Sequence, residues 1–445
     1  MHPRRGAERA RREARHLHSP ATTTATPIGV REKPLLGLMM GLFFAFGFCT
    51  VLVDTLIPKL KGMFQLSYAE VMLTQSCFFL AFFLVSAPAG WLVGRIGYMR
   101  TIVVGLLVMG AGCVLFTPAA DAGSYPAFLA ALFIMASGVT AVQVAANPLA
   151  SSLGAPDKSS ARLTLAQAFN SVATMLAPQF GAFFILAHTG PTPDPRTLTP
   201  AALAAVRVIE AQTVQGPFLM IAAALGLFAL LCWVARRWAS EGKTAATEGF
   251  AHLLGHRRLV LGALTIFTYV GAEVAIGSSI ANYLMMPRVL GLSMRVAGQL
   301  ISVYWGLAMV GRFLGAWLLR SLPAGGVLTA CALGSALLAA IAGLTGGPVA
   351  AIAILAVGLF NSIQFPTIFT LAIDGLGEET PGGSGLLCLA IVGGAVVPLA
   401  TGAAADHLGL GAALFVPALC YLWVAVYGRL IGAGVLNAPS GSASP

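Results

Sequence analysis

Charge is what this sequence has least of. Only 9% of its 445 residues are Asp, Glu, Lys or Arg, against about 25% in an ordinary soluble chain. With 58% hydrophobic residues and a mean hydropathy of +0.85, a soluble multidomain protein is excluded. Strand-like alternation is missing too. Stretches such as Ile102 to Thr117 and Val349 to Phe360 are apolar on every face, which argues against an outer-membrane barrel and for helices. There is no Walker loop, zinc cluster or Ser/His/Asp arrangement, so we expect no enzyme, no nucleotide-driven pump, no cofactor and no metal. The seven cysteines (49, 77, 113, 232, 331, 388, 420) all fall in apolar runs, and an odd number cannot form a complete disulfide set. All seven histidines lie in a tail, in loops or at a span edge, which removes histidine as an intramembrane proton carrier.

What charge there is has a position. A net charge of +10 on a globular surface would suggest nucleic acid, but eight of the 26 basic residues precede Leu35. That stretch lacks the apolar core of a secretory signal. Residues 1–34 therefore read as a disordered cytoplasmic tail, with a later start at Met39 or Met40 left open, and no nucleic-acid partner is expected. Spanning helices need about 20 apolar residues. Twelve such runs follow: 35–57, 69–93, 102–119, 126–150, 163–187, 215–236, 258–284, 296–319, 326–345, 348–373, 384–405 and 409–431. The domains expected are an N-terminal six-helix half (35–236), a cytoplasmic linker (237–257), a C-terminal six-helix half (258–431) and a disordered tail (432–445). With residue 34 inside, 19 Lys and Arg fall in inner segments and 6 in outer ones, so both termini are expected in the cytoplasm. The fold class is thus an all-α polytopic membrane protein with twelve transmembrane helices.

Landmarks recur between the two sets. GWLVGRIG at Gly90 is echoed by GAWLLRSLP at Gly315, Gln143 and Pro148 by Gln364 and Pro366, and Pro178 by Pro398, at offsets of 218 to 225 residues. Duplication explains a near-constant offset better than chance. Six-plus-six parallel repeats are how the major facilitator superfamily is built, with substrate bound near the midplane between the halves.

Charged groups at bilayer depth cost roughly 2.5–3.5 kcal/mol on insertion scales, so each asks for an explanation. Glu273, in YVGAEVAIGSS, lies near the middle of the seventh span between Gly271 and Gly277. It reads as an acceptor for sugar hydroxyls or as a coupling-ion carboxylate, against a protonated carboxyl buried between helices. Asp54, near the outer end of the first span, reads as a functional carboxylate, against simple hydration or pairing with Lys59 or Lys61. Arg312, in GRFLG, reads as a gating or structural cation. Amides carry a stronger signal. Gln143/Asn147, Gln167/Asn170 and Asn361/Gln364 each place two amides on one helix face. Donor and acceptor together match a neutral polyhydroxylated ligand, although interhelical packing is the competing reading for any one pair.

GWLVGRIGYMR, with Gly90, Arg95 and Arg100, resembles the cytoplasmic signature of the major facilitator superfamily between its second and third helices, with Gly94 at the usual acidic position. It is read as gating and architecture. The strings DTLIPKLKGMFQLSYAE (54–70), GVTAVQVAANP (138–148), RLTLAQAFNS (162–171), YVGAEVAIGS (269–278) and NSIQFPTIF (361–369) resemble the glucose/galactose transporter group of the fucose:proton symporter family. That resemblance implies cation-coupled hexose uptake across the bacterial inner membrane by alternating access. It matches Asp54 to the aspartate linked with proton coupling in fucose symporters. It puts Gln143 where those symporters have a glutamate, and sets Gln167, Asn170 and Glu273 around sugar. Val53 replaces the asparagine that often precedes the aspartate.

The expectation is a secondary active hexose importer, a monomer whose partners are a small sugar and membrane lipids. Proton, sodium and no coupling stay open. So do a fucose or other polar-solute transporter, an uncoupled facilitator on the same fold and, from another class, a non-transporting sugar sensor.

Overall fold

Lipid offers no partner to backbone N–H and C=O groups, so each spanning segment must satisfy its own. The computed structural model describes residues 32–64, 68–122, 124–181, 200–239 and 250–436, and among them there is no strand. Helical side chains at 51–64, 68–75, 178–181, 200–214, 250–251 and 294–295 are outside the described set.

The first six spans are α1 (Glu32–Phe64), α2 (Tyr68–Ile96), α3 (Tyr98–Asp121), α4 (Tyr125–Ser152), α5 (Ser159–Gly181) and α6 (Pro200–Ala235). A short α7 (Phe250–Leu253) precedes α8 (Arg257–Met285), α9 (Met294–Leu318) and α10 (Ala324–Leu344). The last three spans are interrupted: α11 (Gly347–Asn361) with α12 (Gln364–Ile373), α13 (Thr380–Leu389) with α14 (Gly393–Leu408), and α15 (Leu410–Ala413) with α16 (Phe415–Gly432). Among the described residues eleven helical stretches are long and apolar enough to cross a membrane. The twelfth, α5, misses that criterion because Arg162, Gln167 and Asn170 dilute its apolar run, yet it packs against α1 and α9 like the rest.

Apolar association is weak in lipid, so close packing of small residues has to hold helices together. A Cβ on Gly105 of α3 would lie 3.0 Å from the carbonyl oxygen of Gly138 on α4, a spacing only bare backbones reach. The outer surface stays apolar: Leu227, Leu337, Leu399 and Leu419 are each more than half exposed, as lipid-facing side chains should be.

Prolines inside the spans leave backbone carbonyls to be satisfied from elsewhere. A ring nitrogen without N–H leaves the carbonyl four residues earlier unpaired. Pro148 so frees the Val144 carbonyl, which accepts from the Ser384 hydroxyl at 2.6 Å. Pro366 frees the Ser362 carbonyl, which accepts from Arg312 Nε at 3.3 Å, while the neighbouring Asn361 carbonyl accepts from the Tyr269 hydroxyl at 2.9 Å. Buried irregular backbone is tolerated only with such partners.

Helix alternation collects Glu32, Arg95, Arg257 and Arg429 at one end of the bundle, here the basic end. There the two sets of helices touch. The Cα of Gly90 on α2 approaches α13 so closely that a Cβ would lie 2.8 Å from the Pro381 carbonyl oxygen and 3.4 Å from Gly385 Cα. Ser160 and Thr370 share a hydrogen bond of 2.6 Å, and the Ser384–Val144 bond crosses the same seam.

Candidate functional site

Above that seam, between the two sets of helices, lies a cavity of about 260 Å³. Its apolar wall is largely phenylalanine: Phe46 of α1, Phe78, Phe79 and Phe82 of α2, and Phe365 of α12. Its polar groups come from Thr50 on α1, Gln143 on α4, Gln167, Asn170 and Thr174 on α5, Glu273 on α8 and Arg312 on α9. A mostly apolar enclosure with a few convergent polar groups is the usual form of a small-molecule site. The volume is just below the usual range of about 300–1,000 Å³ and suits a solute no larger than a monosaccharide.

Local folding fixes these groups. Asn170 Nδ2 donates to the Phe43 carbonyl at 3.0 Å, joining α5 to α1. Gly47 leaves room for that amide, since any Cβ there would collide with the Asn170 side chain. The anchoring leaves Asn170 Oδ1 as a fixed acceptor. Arg312 crosses between the two sets: beside the Ser362 carbonyl it reaches the Gln167 carbonyl at 3.4 Å and donates to the Ser171 hydroxyl. Glu273 lies within electrostatic reach of Arg312 but makes no contact ion pair with it; the ion pairs among the described residues are His252–Glu379, His256–Glu379 and Arg258–Asp374. A carboxylate and a guanidinium that share a cavity without closing on each other leave acceptor and donor capacity for a ligand between them.

Of the seven residues expected to share a substrate cavity, Gln143, Gln167, Asn170 and Glu273 do so. Three do not, and the expectation is corrected for them. Asn147, one turn beyond Gln143 toward the basic end, is fully buried, and its amide has no hydrogen-bond partner but the weak Cys388 thiol. The closed seam passes between it and the cavity. Asn361 and Gln364 are fully buried in a packing network: Asn361 Nδ2 donates to the Tyr304 hydroxyl at 2.9 Å, and Ser335 bridges Asn361 Oδ1 at 3.1 Å and Gln364 Nε2 at 2.9 Å. Their spacing assumes a continuous helix, whereas the chain breaks at Ser362 and Ile363 and turns the pair toward α10.

Arg312, read as gating or structural, is also a cavity residue. Gly90, Arg95 and Arg100 lie at the basic end, away from the cavity, and the Arg95 guanidinium stacks 4.8 Å from the Trp91 ring centroid. The helix α1 runs through Asp54, but the side chain of Asp54 falls outside the described residues. Sequence reasoning missed Ser171 and Thr174, each four residues beyond Gln167 and Asn170 on the same face of α5, a spacing that would have found them.

Twelve spans, a polar cavity at mid-depth and a seam closed on one side are the architecture of a membrane transporter. A profile of the Major Facilitator Superfamily matches residues 38–391. The chain belongs to that superfamily and is a multi-pass membrane transporter. It is 49% identical over 395 residues to a glucose/galactose transporter of Brucella abortus, covering 88% of this chain and 92% of that one. With the L-fucose-proton symporter of Escherichia coli it shares 33% identity over 403 residues, 88% and 92% of the two chains. The crystal structure of the superfamily transporter FucP in the outward conformation superposes with a TM-score of 0.82 at 32% identity, covering 90% of this chain and 99% of that chain.

Proposed function

We propose that this protein imports a hexose of the glucose or galactose type across the bacterial inner membrane, by cation-coupled symport and alternating access. The observation that carries the reading is the cavity's chemistry: amides from α4 and α5 and a carboxylate from α8 set against a phenylalanine wall. Amides donate and accept, as sugar hydroxyls do, and aromatic rings cover the apolar face of a pyranose. An anionic solute would meet Glu273, and a lipophilic cation would have no use for three amides. The similarity to the Brucella glucose/galactose transporter supports the hexose, and the similarity to the fucose-proton symporter supports coupling. Asp54 is assigned the ion-linked role and Glu273 the sugar. Both termini lie in the cytoplasm, so the seam at the basic end is the closed inner gate and the cavity belongs to an outward-facing state. The transporter acts as a monomer with lipid and sugar as its partners.

The test is uptake of labelled glucose, galactose and fucose into proteoliposomes under separate proton and sodium gradients. Accumulation of glucose or galactose driven by one of the two gradients is expected. Fucose preference, or equilibration without accumulation, would replace the reading by a fucose transporter or an uncoupled facilitator.

A further inference from the structure

Away from the cavity, at the basic end, two imidazoles and a carboxylate converge. His252 lies in α7, His256 is the residue before α8, and Glu379 ends the single 3-10 turn Gly377–Glu379 that leads into α13. His252 Nδ1 is 3.0 Å from Glu379 Oε1, and His256 Nε2 is 2.7 Å from Glu379 Oε2. One donor atom from each of the three residues lies within 4.8 Å of the others, the single such group among the described residues.

Backbone fixes the arrangement. The N–H of Gly255 donates to the His252 carbonyl at 3.0 Å and that of His256 to the Leu253 carbonyl at 3.1 Å, a tight turn across which the two imidazole centroids lie 5.8 Å apart. Buried Leu253 pins α7 from beneath. On the facing loop Gly377 takes a positive φ of 53°, and the Glu379 N–H donates to the Leu376 carbonyl at 3.0 Å.

We propose that His252, His256 and Glu379 form a divalent-metal site of the zinc class, with water in the fourth position. Two imidazoles and one carboxylate are a donor set that zinc accepts, whereas magnesium and calcium favour all-oxygen shells and copper(I) favours sulfur. Tetrahedral bonds of about 2.0–2.1 Å place donors about 3.4 Å apart, so small side-chain rotations from the observed spacing complete the shell. The side chains are 55%, 38% and 31% exposed, which leaves solvent access for the ion. The nearby Arg258 is neutralised by Asp374 at 2.9 Å, so it does not stand as a lone opposing charge. The site also has mechanical reach. Glu379 is two residues from Pro381, whose carbonyl Gly90 approaches at the closed seam. An ion here ties the connection ahead of α8 to the base of that seam.

The test is titration of Zn²⁺ into the purified full-length protein in detergent, after removal of any histidine tag, by calorimetry and by unfolding temperature. One ion per chain at micromolar concentration is expected, with affinity lower by at least about 10- to 100-fold, the loss typical of an outer-shell partner, in each of His252→Ala, His256→Ala and Glu379→Gln. His407→Ala, at the end of α14, serves as control and should bind as the wild type does. Metal-free transport by the three variants should equal that of the wild type, showing that they fold. No stoichiometric binding below about 100 µM, or unchanged binding when both histidines are replaced, would overturn the proposal.

Discussion

Gly90→Ala tests the seam directly. The added methyl would sit 2.8 Å from the Pro381 carbonyl oxygen and 3.4 Å from Gly385 Cα. Both neighbours are backbone, so no side chain can rotate away and the helices themselves must separate. Overpacking of this kind costs about 1–3 kcal/mol. The contact joins the two sets of helices, so under the proposed alternating access it is lost when the basic end opens and the cost falls on the closed state. The equilibrium should then move toward an open basic end by about 5- to 150-fold. Hydrogen exchange reads this without labels: amides in 86–93 and 381–389 should exchange faster by that factor. Sugar added from the opposite side should bind more weakly in proportion to the lost fraction of competent protein. Gly110→Ala is the control, because its methyl would meet nothing closer than the Ala222 carbonyl oxygen at 3.7 Å. Unchanged exchange in Gly90→Ala, or equal change in both variants, would refute the reasoning.

Four further outcomes are expected. Asn147→Leu removes a buried amide with no partner beyond the weak Cys388 thiol and should stabilise the closed basic end by about 1–3 kcal/mol, seen as a higher unfolding temperature with slower turnover; a lower temperature with normal turnover would show that the amide has a strong partner. Ser384→Ala leaves the Val144 carbonyl unpaired, and should speed exchange in α13 while sparing cavity affinity measured at saturating sugar. Gln167→Ala should weaken sugar binding several-fold, from a neutral hydrogen bond worth about 0.5–1.5 kcal/mol; unchanged affinity would remove Gln167 from the sugar shell. Asp54→Asn should abolish gradient-driven accumulation yet retain counterflow, whereas Glu273→Gln should chiefly weaken sugar binding, by about 10- to 100-fold for a charged acceptor. Continued accumulation in Asp54→Asn would move the coupling acid elsewhere.

The spans were legible because lipid imposes one rule on all of them: a long apolar run. Even α5 is legible, since apart from Arg162 near its start its polar residues Thr164, Gln167, Asn170, Ser171 and Thr174 lie toward one face and leave the rest largely apolar. The site was partly legible for the same geometric reason. Gln143, Gln167 and Asn170 follow from helical spacing, and Glu273 from the cost of a charge at depth. Periodicity specifies a face but not a depth: Asn147 shares a face with Gln143, yet only Gln143 lines the cavity. Asn361 and Gln364 failed differently. Pro366 was visible as a repeat landmark, but the break it causes at Ser362 and Ile363 changes the direction of the pair. Arg312 is legible as a gating or structural cation, but nothing in the sequence names its partners Ser171 and Gln167 on α5. Nothing in sequence proximity joins Glu379 to His252 and His256. Only the fold brings that loop to α7.

Pro148 and Pro366 show how a duplicated feature can serve two ends. Each frees one carbonyl near the cavity, and each carbonyl finds a side-chain donor. For Ser362 the principal donor is Arg312, from the same set of helices, so that bond can persist whichever end is open. The donor for Val144 is Ser384, from the opposite set, so that bond must break when the basic end opens. Beside it Asn147 is buried without an adequate partner in the closed state, and opening of the seam would give its amide water. The two effects oppose each other: a hydrogen bond worth about 0.5–1.5 kcal/mol favours closure, and an orphaned amide costing about 1–3 kcal/mol favours opening. Close packing at Gly90 adds to the first. A transporter whose states differed by much more than a few kcal/mol would populate only one of them. The pairing of a good contact with a poor one across the same seam keeps the difference small enough for bound solute to tip it.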